Sequence, residues 1–136
     1  MLSDGRKYTT YNKLEKRIDY ALKSIGDRSE LSRNPLADIA YIEKLASERY
    51  SRYLFPQGLA LHDVLLACVD KISTEFSNEP ALSRACNYLQ LLVQGLTCRE
   101  ISKQLGLSRE HVSRVYRKKA LALLIEEFFS RVRNGG

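Results

Sequence analysis

GLTCREISKQLGLSREHVSRVYRKKA, residues 95–120, is the stretch whose reading decides the fold. Thr97 is followed three positions later by Glu100, the pairing of a capping box, in which each side chain satisfies an exposed backbone amide at the start of a helix. The helix it opens is short, because Gly106 follows soon after and Ser108 is placed to cap another helix almost at once. Two helices parted by so few residues must cross steeply, and a glycine in the corner supplies the positive backbone angle that such a corner demands. Ile101 and Leu105 face inward from the first helix, Leu107 fills the turn, and Val112 and Val115 face inward from the second. Ser102 is small and sits where the two helices approach. The segment 97–118 therefore reads as a helix-turn-helix.

The charge supports a role for this segment. The chain carries a formal net charge of +6, and residues 99–119 hold seven Lys or Arg against two Asp or Glu, while residues 34–98 hold five against seven. The other excess lies in residues 1–33, with eight against five. A compact block of positive charge is the footprint of a surface that faces phosphates, although solvated helices also carry such blocks. The quoted stretch resembles region 4 of bacterial sigma factors and the DNA-binding region of LuxR-type regulators, through Gly95, Leu96, Thr97, Glu100, Ile101, Leu105, Gly106, Ser108 and Val112. The resemblance covers about residues 82–125. It departs at Ser102, where alanine is usual, and the first 80 residues match neither a sigma core-binding region nor a phosphate-accepting receiver domain.

The resemblance implies that the second helix of the pair, about residues 108–119, enters the major groove of double-stranded DNA. With Val112 and Val115 inward, the helical period leaves Arg109, Glu110, Ser113, Arg114 and Arg117 outward. Arginine forks onto guanine O6 and N7 and glutamate accepts from the cytosine amino group, so Arg109, Glu110, Ser113 and Arg114 are the expected base readers. His111 stands between base reading and a structural or phosphate role. Thr97, Arg99, Lys103, Ser108, Arg117, Lys118 and Lys119 are the expected phosphate contacts, which position the protein without reading sequence. A solvated helix end is the plainer reading of Lys118 and Lys119, and Tyr116 is open between body and backbone.

The rest of the chain reads as all-α, a helical bundle ending in the helix-turn-helix and a long C-terminal helix, because apolar residues recur every three or four positions. A first helix is expected from near Thr10 to before Gly26, with Leu14, Ile18, Leu22 and Ile25 on one stripe. The polar stretch 26–33 breaks the pattern. A second helix is expected from Asn34-Pro35 to about Leu54, a turn at Phe55-Pro56-Gln57-Gly58, a third helix from about Leu61 to Phe76, and a fourth over 80–94 stopped by Gly95. The organisation expected is a basic N-terminal helix or arm over 1–33, a helical dimerisation or partner-binding region over 34–79 and the DNA-binding domain over 80–136. Cys68, Cys86 and Cys98 show no Cys-x-x-Cys spacing, which predicts reduced thiols and neither disulfide nor zinc.

Leu121, Leu124, Ile125, Phe128, Phe129 and Val132 are too many apolar groups for one side of an isolated surface helix, so they must be covered, by the preceding helices or by a second copy in a homodimer. The expected function is a sequence-specific transcriptional regulator that binds DNA as a homodimer, with a sigma-region-4-like adaptor that binds RNA polymerase or another protein as the alternative. No paired carboxylates, nucleophile with base, metal cluster or phosphate-binding glycine loop marks an enzyme, and no cofactor is expected. No apolar run approaches the roughly 20 residues that span a bilayer, and the first residues lack the apolar core of a secretory signal. The expected location is the cytoplasm, prokaryotic by the resemblance and nucleoid-associated when bound.

Overall fold

The computed structural model describes residues 2–135, with side chains described from Lys13 to Asn134, and it is helical with no strand among them. In chain order come α1 (Leu2–Lys23), α2 (Arg28–Arg33), a 3-10 turn (Pro35–Asp38), α3 (Ala40–Arg49), α4 (Pro56–Phe76), α5 (Ser83–Val93), α6 (Cys98–Leu105), α7 (Arg109–His111), a π-helical segment (Val112–Tyr116) and α8 (Arg117–Gly135). The last three run on without a break and form the long C-terminal helix.

α4 is the hub. Gly58, Leu59, Ala60, Leu61, Val64, Leu65, Cys68, Val69 and Ile72 are all buried, more than one face of a helix can supply, because α2, α3, α5 and α8 pack around it. Burial also pushes the Cys68 thiol up to about 11, so it stays protonated near neutral pH. Leu14, Ile18, Leu22 and Ile25 join the same core from α1 and the turn after it, while Lys13, Lys16, Arg17 and Lys23 are exposed. One core runs from Leu14 to Phe128, so the segments expected as 1–33, 34–79 and 80–136 share their interior.

Four local readings differ from the sequence expectation. α1 begins at Leu2 rather than near Thr10, since nothing stronger than one glycine interrupts residues 2–23. The polar stretch after Gly26 is itself a helix: Asp27 accepts a 3.2 Å hydrogen bond from the Glu30 amide, and Leu31 is its one fully buried apolar anchor. The helix expected from Asn34 to Leu54 is divided at Ile39, whose backbone is extended. On one straight helix Ala37 and Ile42 would point about 140° apart; the interruption lets both, with Leu36 and Ala46, enter the core. Asn34 caps the 3-10 turn through the Leu36 amide at 2.9 Å and also donates to the Arg17 carbonyl of α1 at 2.9 Å, so its buried amide is satisfied at both ends.

The fourth difference is at residues 55–58, expected as a turn. Pro56 opens α4, where its missing N–H costs nothing, and Gly58 lies inside the helix. The turn falls earlier, over 50–55. There Phe55 holds a left-handed backbone (φ 56°), a strained conformation for a bulky residue. Beside it, Leu54 is 78% exposed.

The apolar side of α8 is covered within the chain. Leu121, Leu124, Ile125 and Phe128 are buried where α8 meets α4, α5 and α1, and only Phe129, at 44%, is substantially exposed. Intramolecular packing accounts for the stripe, and the observation that suggested a homodimer is thereby used up. No helix among the described residues is long and apolar enough to cross a membrane.

Candidate nucleic-acid interface

α5 closes with two crossed backbone bonds, Leu96 N–H to the Leu91 carbonyl at 3.2 Å and Gly95 N–H to the Leu92 carbonyl at 2.9 Å, around Gly95 at φ +93°. Thr97 then opens α6: its hydroxyl accepts from the Glu100 amide at 3.2 Å, and the Glu100 carboxylate accepts from the Thr97 amide at 3.1 Å and the Thr97 hydroxyl at 3.0 Å. These bonds hold the Glu100 carboxyl below its ordinary pKa. α6 ends with the same crossed pair, Leu107 N–H to the Ser102 carbonyl at 3.0 Å and Gly106 N–H to the Lys103 carbonyl at 3.3 Å. Ser108 caps α7 by accepting from the His111 amide at 3.1 Å.

Gly106 has φ +67° and nothing within 4 Å of where a Cβ would stand. Its requirement is therefore conformational only. Gly106→Ala is expected to cost about 1–2 kcal/mol and Gly106→Asn less than half of that, because asparagine visits the left-handed region more readily. Urea denaturation of the two variants checks this, and equal losses would point to crowding instead.

Ile101, Ser102 and Val112 are buried between α6 and the following helix, as the sequence suggests. Val115, however, is only half-buried, and Tyr116 is inward in its place. The cause is the π-helical turn, closed by the Arg117 amide on the Val112 carbonyl, which adds a residue to the turn and brings Val112, Tyr116, Ala120, Leu124 and Phe128 onto the core side. The Tyr116 hydroxyl accepts from Arg84 of α5 at 3.0 Å, and His111 lies edge-on to the Tyr116 ring at 5.4 Å. Tyr116 belongs to the body, and His111 stands exposed against it.

The candidate base readers divide. Glu110 and Arg114 are each 75% exposed and pair with one another at 2.9 Å, one helical turn apart. Arg109 is exposed, with no carboxylate partner among the described residues. Ser113 is half-buried and lines a cleft with Arg109. Among the expected phosphate contacts, Thr97, Arg99, Lys103, Ser108, Lys118 and Lys119 are exposed. Arg117 is different: its guanidinium is forked onto Asp19 of α1, with Nε 3.2 Å from Oδ1 and a shorter contact from Nη2 to Oδ2. That bond favours its charged form and turns Arg117 into a tie between α1 and α8.

Sequence reasoning missed Asp19, Lys23 and the Ser24–Asp27 turn as neighbours of this surface. Lys23 also reaches Asp19, at 3.2 Å, and the turn forms the far wall of the cleft facing Thr97, Arg109 and Ser113. Asp19 and Arg117 are 98 positions apart, and no local pattern marks them as partners. No group of three or more His, Cys, Asp or Glu among the described residues could hold a metal ion, and the three cysteines are free. In comparisons with known proteins, no family model, curated protein or solved structure matches the chain.

Proposed function

We propose that the protein is a transcriptional regulator that binds double-stranded DNA, with α6 and α7 as a helix-turn-helix and residues 108–119 in the major groove. One observation carries this reading. Short α6 and the start of the long C-terminal helix are locked at a corner by paired caps, and the outer face of the second presents Arg109, Glu110 and Arg114 to solvent within the most basic block of the chain. Arg109, Glu110, Ser113 and Arg114 read bases in this proposal, and Thr97, Arg99, Lys103, Ser108, Lys118 and Lys119 contact phosphates. The Glu110–Arg114 pair is an exposed ion pair worth only a few tenths of a kcal/mol, so DNA can open it cheaply. Arg117 contributes to phosphate binding only if Asp19 releases it. The α8 stripe is already covered within the chain, so this reading does not use it as a contact between two copies.

Titration of a duplex at two salt concentrations tests the proposal. With about four phosphates neutralised, affinity should fall about a hundredfold between roughly 50 and 200 mM salt. On a selected sequence, Arg114→Ala should cost about 1–3 kcal/mol and relax the preference at one base position, whereas Lys118→Ala should weaken all sequences alike. Binding that ignores salt, or no binding, sinks the reading in favour of a protein-binding adaptor, for which RNA polymerase is the partner the resemblance implies.

A further inference from the structure

Between the turn that follows α1 and the α6–α7 unit lies a cleft of about 720 Å3. Its volume falls within the roughly 300–1,000 Å3 of sites that hold drug-sized molecules. Leu22, Ile25, Tyr88 and Leu92 make its floor, all of them core residues. The rim is mainly cationic. Lys23 and Arg117 share Asp19, Asp27 adds a negative charge, and Arg109 has no carboxylate partner among the described residues. Ser113 adds a hydroxyl to the lining, where Thr97 also stands with its own hydroxyl engaged by Glu100.

We infer that this cleft binds a small amphipathic anion, a molecule with an aromatic or aliphatic body and one carboxylate, sulfonate or phosphate group, placed so that its charge meets Arg109. An apolar floor rewards a hydrophobic body, and a cation without a partner at the rim rewards a single negative charge. A DNA duplex offers the charge but no group for the floor. The consequence for DNA rests on the function proposed above: Arg109 and Ser113 line the cleft and also belong to the reading face, so an occupied cleft and a bound duplex exclude one another. By linkage the small anion then lowers the affinity for DNA by the factor by which DNA lowers the affinity for the anion.

Two fluorescent probes that differ by one sulfonate test the site on the whole chain: 8-anilinonaphthalene-1-sulfonate and its uncharged parent N-phenyl-1-naphthylamine. The sulfonate should bind at one site and about tenfold more tightly than the neutral probe, the worth of one charge-assisted hydrogen bond. Arg109→Gln should remove that tenfold preference and leave the neutral probe unchanged. Arg133→Gln, which removes the same charge about 36 Å further along the continuous C-terminal helix, should alter neither. Ser24→Trp places an indole at the cleft wall and should abolish binding of both probes while the circular dichroism stays native. The inference is overturned if the neutral probe binds as tightly as the sulfonate, or if natively folded Ser24→Trp retains the sulfonate site. Titration with a duplex separates this inference from the functional reading. Sulfonate binding with the expected variant pattern but no DNA binding upholds the cleft and removes the regulator; DNA binding without a sulfonate site removes the cleft alone.

Discussion

Phe128→Ala should destabilise the protein by about 3–5 kcal/mol and lower its melting temperature by roughly 10–20 °C, by the same amount at every protein concentration. Phe128 is 1% exposed and lies on the stripe by which α8 packs on α4, α5 and α1. Removing its ring leaves a cavity surrounded by several helices, which can close only partly. The concentration independence is the discriminating part. If the stripe were the contact between two copies, truncation would weaken association, and the melting temperature would depend on protein concentration before and after the change. Calorimetry over roughly a hundredfold range of concentration separates the two cases. Phe129, the 44% exposed neighbour, is the control: Phe129→Ala should cost less than about 1 kcal/mol. A concentration-dependent transition, or equal losses from the two residues, would restore the homodimer suggested by the sequence.

What was legible in the sequence is what local chemistry decides. The caps at Thr97 and Ser108 act over three residues, and the left-handed glycines at 95 and 106 follow from the need to end one helix and begin the next within a few positions. Charge, apolar stripes and glycine placement therefore gave the α5–α6–α7 region closely. The inner face of the helix after Ser108 was misjudged by one position, Val115 for Tyr116, because the ordinary helical period does not anticipate a π turn. Contacts between remote segments left no such trace. Asp19 holds Arg117, Asn34 holds the Arg17 carbonyl and Arg84 holds Tyr116, and although Pro35 marks Asn34 as a cap, no local pattern marks any of the three pairings. The candidate surface was thus read correctly as to which side chains are exposed on α6 and the start of the long C-terminal helix, apart from Arg117 and Ser113. The wall that α1 and its turn build beside it was invisible.

Gly58 shows how a residue type can be noticed and its reason missed. Next to Pro56 it has the look of a turn glycine, yet it sits in the first turns of α4 where α2 crosses, and a Cβ there would overlap the Arg28 carbonyl oxygen and stand 3.1 Å from the Ser32 amide nitrogen. Both obstacles are backbone, so a rotamer change cannot relieve them; α2 would have to move off the central helix, taking Leu31 from the core. Two effects then compete in Gly58→Ala. Helix propensity favours alanine by about 1 kcal/mol, while overpacking against a rigid neighbour costs about 3 kcal/mol or more. The clash wins, and a net loss of about 2–3 kcal/mol is expected, with faster hydrogen exchange concentrated in α2. Urea denaturation gives the sign. A gain in stability would mean that propensity prevails and that α2 is not held against α4. The comparison with Gly106→Asn is instructive because that site has open space and a left-handed backbone, whereas Gly58 has an ordinary helical backbone and no space. Asparagine at 106 should therefore be nearly tolerated, and any side chain at 58 should not.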